Sequence, residues 1–155
     1  MEQSELTYAG FWPRVGATVI DTLLILAITG PLVTAIYGPK YWASSDLVAG
    51  FADLMISWVF PAVAVIAFWE MRQATPGKMA IRARIVDAKT GQKPTLGQSI
   101  GRYFAYFVSM LPLMVGIVWV AFDPRKQGWH DKLAGTVVVR SGDTTPEPVR
   151  FSENG

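Results

Sequence analysis

The sequence predicts an all-α integral membrane protein. It reads as two full transmembrane helices, a third hydrophobic segment broken by Pro and Gly, and a small cytoplasmic β-ribbon. Three observations carry that prediction. Apolar residues make up 51% of the 155-residue chain and charged residues 17%, against about 25% charged in soluble domains. Three long segments are apolar on every side rather than along one stripe, as helices in lipid are, and a soluble domain of this size has no core large enough to hide them. Basic residues gather between particular segments, which marks the cytoplasmic side.

The first segment, about 14–37, contains Val15–Tyr37, 23 residues with Asp21 as their single charge. At about 1.5 Å per residue this is roughly 34 Å of helix, enough for a hydrocarbon core of about 30 Å. The second, about 48–70, holds the uncharged run Leu54–Trp69 and reaches spanning length only by taking in Asp53. The third, about 96–122, holds the uncharged run Tyr103–Phe122. Its helix is expected to start at Leu96, because Thr95 and Gln98 have capping-box spacing. Pro112 and Gly116 interrupt it. Aromatic residues near the segment ends, such as Trp12, Trp42, Trp69 and Trp119, fit an interfacial belt.

Residues 71–102 carry seven Lys or Arg and one acid, Asp87, whereas the loop 38–53 has only Lys40 as a base. The positive-inside rule therefore puts 71–102, and with it the N-terminus, in the cytoplasm. Three complete crossings would export Arg125, Lys126, Lys132 and Arg140, against the same rule. A third segment that dips in and returns removes the conflict; a Pro-kinked full span leaves it standing. Both topologies are open at this point. Residues 80–88 alternate in strand fashion before a turn at Lys89–Gly91, and 136–140 are β-branched, so the two are expected to pair as the ribbon. Residues 141–155 are polar and Pro-containing and are expected to form a mobile tail. Residues 1–10 carry no base, so the first segment is not expected to be a cleaved export signal.

The composition also excludes function classes. Without Cys there is no disulfide framework, thiolate metal site or Cys nucleophile. One His rules out a multi-His zinc site. Ser and Thr have no His and Asp partners at recognisable spacing, so no catalytic residue, metal or cofactor is expected and the chain is not expected to be an enzyme. A net charge of +2 argues against nucleic acid as a partner. The expected partners are the lipid bilayer, further copies of the chain and other membrane proteins.

Charges inside apolar segments are the candidate functional residues. Asp21 lies about 10 Å into the first segment, where an acid costs about 2.5–3.5 kcal/mol and must face protein or water. Arg14 stands seven residues earlier, on the same helix face. Two readings follow: an ion or proton site at Asp21 tuned by Arg14, or an Arg–Asp clamp fixing the helix. Glu70, beside Arg72, is a secondary candidate at the end of the second segment. His130 with Asp131 has proton-relay spacing, though a lone interfacial His more often bonds backbone or headgroups. Thr75-Pro-Gly-Lys78 lacks the strand-to-helix setting of a phosphate loop and reads as a turn.

Several stretches together resemble the RDD family of bacterial membrane proteins. These are Ala9-Gly-Phe-Trp-Pro-Arg14 through Asp21, Thr75-Pro-Gly-Lys78, Arg84-Ile-Val-Asp87 with Gly91, Arg102-Tyr103, and Gln127-Gly-Trp-His-Asp131 through Thr136-Val-Val-Val. The resemblance covers about residues 8–140 and departs at Pro13. It matches Arg14 and Asp21 to the first two family positions and Asp131, or less well Asp87, to the second aspartate. It implies a multi-pass protein of the bacterial inner membrane with a transport-related role, sodium–proton exchange being reported for some members. The leading expectation is thus ion or small-solute transport as an oligomer, with Asp21 and Asp131 binding the cation or proton. The alternative is a non-transporting accessory or scaffold protein.

Overall fold

The computed structural model describes residues 6–141. The chain is mostly helical, at 64%, with a small three-stranded antiparallel sheet at one end.

Strand β1 (Leu6–Tyr8) leads into α1 (Phe11–Tyr37), the first long apolar helix. It starts three residues ahead of the expected boundary because Pro13 falls in its first turn, where a missing N–H breaks no bond. At 27 residues, it is long enough to cross a membrane. A short 3₁₀ turn (Pro39–Ala43) follows. The second apolar helix runs Phe51–Arg72 as one rod, made of α2 (Phe51–Asp53), a π-helical turn (Leu54–Val59) and α3 (Phe60–Arg72). The widened turn comes just before Pro61, which has no N–H to give the helical ladder and would crowd the carbonyl four residues back.

The stretch expected to be a turn at Thr75–Lys78 instead opens a helix, α4 (Pro76–Ala80), with Pro in its first turn. Next come β2 (Ala83–Asp87) and α5 (Leu96–Met110), which begins where expected: the Thr95 hydroxyl accepts from Gln98 N–H and the Gln98 side chain accepts from Thr95 N–H.

The third apolar segment is bent. Leu96–Met110 and Val115–Ala121, the latter comprising α6 (Val115–Val118) and a 3₁₀ turn, meet at 112°. Pro112 ends the first arm, Leu113 and Met114 take positive φ (52° and 64°), and Gly116 closes the bend. A Cβ on Gly116 would lie 2.8 Å from Ser109 Cα and 2.9 Å from the Trp129 ring, so only glycine lets the returning chain come so close. Both ends of the segment touch the sheet: Gln98 bonds Asp87 and the Gly135 carbonyl, while Arg125 bonds the Ala88 carbonyl and Tyr8. Helix α7 (Trp129–Ala134) then packs along α5, and β3 (Thr136–Ser141) completes the sheet.

The sheet order is β1-β3-β2, with Tyr8 and Arg84 both opposite Val139. The ribbon of β2 with β3 matches expectation; the third strand does not, because Leu6–Tyr8 is too short to show periodicity. Val137 and Val139 pack with Leu6 and Val86 on one face. Val138 and Ile85 pack with Trp69 and Ala9 on the other. Burial on both faces explains a run of three valines where a half-exposed strand would alternate. Ser141, placed in the expected tail, pairs with Leu6; residues 142–155 of that tail lie outside the described residues.

Candidate functional site

Where the sheet meets the helices, α1, α5 and α7 converge on Asp131, which is fully buried. Its Oδ2 accepts from Arg14 Nη2 at 2.6 Å and from Gly128 N–H at 2.9 Å, and its Oδ1 is ion-paired to Arg102. Arg102, also fully buried, donates to Thr136 Oγ1 at 2.7 Å and lies over the Trp69 and Tyr106 rings at 5.4 and 5.6 Å. Arg14 also donates to the Lys126 carbonyl at 2.8 Å. Burial by itself would raise the Asp131 pKa, but Arg102 and Arg14 hold the carboxyl far below the usual range.

His130 stacks on Tyr106 with ring centroids 3.9 Å apart. Its Nε2 lies 3.1 Å from Arg14 Nη2, a group that only donates, so Nε2 is the acceptor and the ring is neutral. The proton then sits on Nδ1, which faces Ser109 Oγ at 3.4 Å. Burial, helped by Arg102 and Arg14 and opposed by Asp131, pushes this imidazole down to about 3.

Arg14 and Asp21 do not pair, which corrects the clamp and tuning readings. Helical side chains lean toward the N-terminus, so Arg14 reaches back to α7 while Asp21 stays beside α4. Asp21 accepts from Thr75 Oγ1 and, at 2.7 Å, from Gly77 N–H. Those bonds draw α4 onto α1 so tightly that a Cβ on Gly77 would fall 1.9 Å from the Ala17 carbonyl oxygen. The docking inserts Lys78, which is 7% exposed, between two cavities. One, of about 260 Å³, is lined by residues including Asp21, Thr75, Lys78, Trp69 and Tyr106. The other, of about 390 Å³, has Arg14, Lys78, Tyr106 and His130 at its polar end and Met110, Met114 and Val118 among its apolar residues.

The secondary candidates serve local structure. Glu70 accepts from Ser99 Oγ at 2.8 Å and pairs with Lys93 at 3.2 Å, joining α3 to α5. Asp87 caps its turn through Lys89 and Thr90 N–H and holds Gln98; despite burial, the bonds from Thr90, Gln98 and Lys89 lower its pKa. Among the described residues no group of three or more His, Cys, Asp or Glu could hold a metal ion.

Two members of the site, Arg102 and Lys78, stand in stretches that carry the family resemblance but are not among the candidate site residues. Arg102 reads as a loop base because the uncharged run starts at Tyr103. Counting from the capping box at Thr95 would have put it six residues into the helix. Lys78 gives no comparable signal, since only docking of α4 buries it.

Residues 8–135, most of the chain, match the family model described as the RDD family. The chain belongs to the RDD family. It is 32% identical over 141 residues to the membrane protein YteJ of Bacillus subtilis, covering 85% of this chain and 80% of that one. To YxaI of the same species it is 29% identical over 150 residues, covering 84% and 96%. A Rickettsia prowazekii protein, RP437, is 43% identical over 76 residues, which is 49% of this chain but 42% of that protein's length. No solved structure matches. The RDD chain is thus a membrane protein in which Arg14, Arg102 and Asp131 form one buried cluster.

Proposed function

We propose that this RDD protein is a non-enzymatic accessory or scaffold protein of the cytoplasmic membrane. Its spans would be covered by partner helices, from further copies of the chain or from other membrane proteins. The observation that carries the reading is the closed state of Asp131. Both oxygens are taken, two guanidinium groups neutralise it, and the residue is fully buried. A carboxylate held in that way has no vacancy for a proton or cation to be exchanged, but it fixes α1, α5 and α7 as one rigid hub. The spans leave room for partners: within their most apolar windows only 11% and 6% of residues are buried by the chain itself, so lipid or partner helices cover the rest. In this reading the sheet and the N-terminus lie on the cytoplasmic side, which the bases around β2 support, and the third segment is re-entrant, which the contacts of both its ends with the sheet support.

Ion or small-solute transport, including cation–proton exchange by an oligomer, keeps one observation in its favour. Asp21 lines an open cavity with Lys78 among its walls. In that reading Asp21 alone would carry the exchanged ion, without Asp131.

Reconstituted vesicles carrying a pH-sensitive dye separate the two. The accessory reading expects no cation-driven proton flux above protein-free vesicles, and less protein in the membrane for Asp131→Asn. Flux in the wild type that disappears in Asp21→Asn at unchanged protein amount would establish transport instead.

A further inference from the structure

Lys78 is more than nine-tenths buried, yet its ammonium makes no hydrogen bond or ion pair with any described residue. Asp21, the nearby acid, already accepts from Thr75 and Gly77. Asp131 is matched to Arg14 and Arg102, and His130 is neutral. The junction thus holds three cations, Arg14, Lys78 and Arg102, against two carboxylates, Asp21 and Asp131. One positive charge is left over at the junction as a whole: Arg14 and Arg102 share Asp131, whereas Lys78, offset by Asp21 only through space, has no direct partner among the described residues and borders both cavities. A buried cation without a directly paired counter-charge is costly, and burial, with Arg102 and Arg14 adding to it, depresses the Lys78 pKa against the pull of Tyr106 and Asp21. A bound anion would remove that cost.

The larger cavity says what kind of anion fits. Its polar end is Lys78 with Arg14, His130 and Tyr106, whose O–H accepts from Arg102 and retains its own hydrogen to donate. Apart from Thr18 the rest of its wall is apolar, and its rim residues Val19, Met114 and Val118 are exposed on the outer face of the helices. Trp12, 77% exposed, stands little more than one turn before Ala17, the residue against which α4 docks. An exposed Trp marks headgroup depth. A small soluble anion would leave the apolar wall unfilled, and a neutral apolar ligand would leave the charge unmatched.

We propose that this cavity binds an anionic bilayer phospholipid, its headgroup phosphodiester on Lys78 and Tyr106 and an acyl chain along Met110, Met114 and Val118. The site goes beyond the accessory reading and is tested separately from it: its polar end shares Arg14 and His130 with the Asp131 hub, but Lys78 and the cavity rim, where the test acts, lie outside that hub.

The test uses the full chain in nanodiscs of phosphatidylcholine, with or without phosphatidylglycerol, read by thermal unfolding and by native mass spectrometry of retained lipid. Phosphatidylglycerol is expected to raise the wild-type Tm. Lys78→Met should abolish that rise and weaken apparent phosphatidylglycerol affinity at least about tenfold, equivalent to about 1.4 kcal/mol. In phosphatidylcholine alone Lys78→Met is expected to be no less stable than wild type, since it removes an unmatched buried charge. Lys93→Met, the same charge change at an exposed position, should keep the response. Val118→Trp, which fills the apolar end from a tolerant rim position, should also weaken it, and decides the matter if Lys78→Met does not accumulate. An equal response in wild type, Lys78→Met and Val118→Trp overturns the site, as does no wild-type response. Protection by soluble glycerol phosphate in phosphatidylcholine discs equal to that by phosphatidylglycerol overturns the lipid assignment. Protection by oleate alone overturns the phosphodiester.

Discussion

Two buried aspartates mark opposite ends of the helical body, and they are stabilised by different means. At the sheet end, Asp131 is paired with Arg14, 117 residues away, and with Arg102, 29 residues away. At the far end, Asp53 is 1% exposed and uses neutral donors from its own neighbourhood: Tyr41 O–H at 2.6 Å, Ser57 O–H at 2.6 Å and Ala49 N–H at 2.8 Å. Its own N–H donates to Tyr37. The first arrangement joins distant segments of the chain by charge; the second ties off one loop by hydrogen bonds. A buried ion pair collapses when one partner is removed, because the other charge is left unmatched. A carboxylate ringed by hydroxyls loses only a share of its bonds. The sheet end is therefore the more brittle of the two, although it is the end with the most contacts between sequence-distant segments.

The sharpest way to break that comparison is to neutralise each acid. Asp131→Asn leaves Arg14 and Arg102 buried against an amide and is expected to cost about 3–5 kcal/mol, read as loss of folded protein in detergent. Asp53→Asn keeps an oxygen for the hydroxyl donors and should cost about 1–3 kcal/mol. Equal losses for the two would contradict the distinction drawn here.

Mild acid, above about pH 5, should act at the sheet end, because the chain's single histidine, His130, lies there. Its folded pKa is about 3 against an ordinary 6.5, so between those values the unfolded chain binds the extra proton. Stability then falls as pH drops through that window, by about 1.4 kcal/mol per pH unit where the difference is complete. Above about pH 5 the depressed carboxylates, Asp87, Asp123 and Asp131, stay ionised in both states and contribute no slope. Melting curves at neutral and mildly acidic pH should show the decline in wild type and a flatter profile in His130→Phe.

The smallest effect is expected for Tyr41→Phe. It removes one of three donors to Asp53 while Ser57 still serves the same oxygen, a loss of about 0.5–1.5 kcal/mol by chemical denaturation.

Much of this architecture was legible beforehand because it rests on local or compositional rules. Segment lengths follow from uninterrupted apolar runs, the start of α5 from the spacing of Thr95 and Gln98, and the bend from Pro112 and Gly116. The burial of Asp53 followed from the length a second span needs. Legibility failed where a residue's role depends on what arrives from elsewhere. Arg14 and Asp21 share a helix face, and from spacing alone their pairing was a reasonable inference; yet each found a closer partner on another element. Leu6–Tyr8 became a strand only because β3 offered it an edge.

The sequence by itself determined that the chain is a membrane protein with two spans and a broken third segment, since hydrocarbon length and backbone hydrogen bonding set those terms residue by residue. Only the tertiary structure decided which charges meet. Ion pairing is governed by distance in space, and the three elements that surround Asp131 come from the beginning, the middle and the end of the described chain.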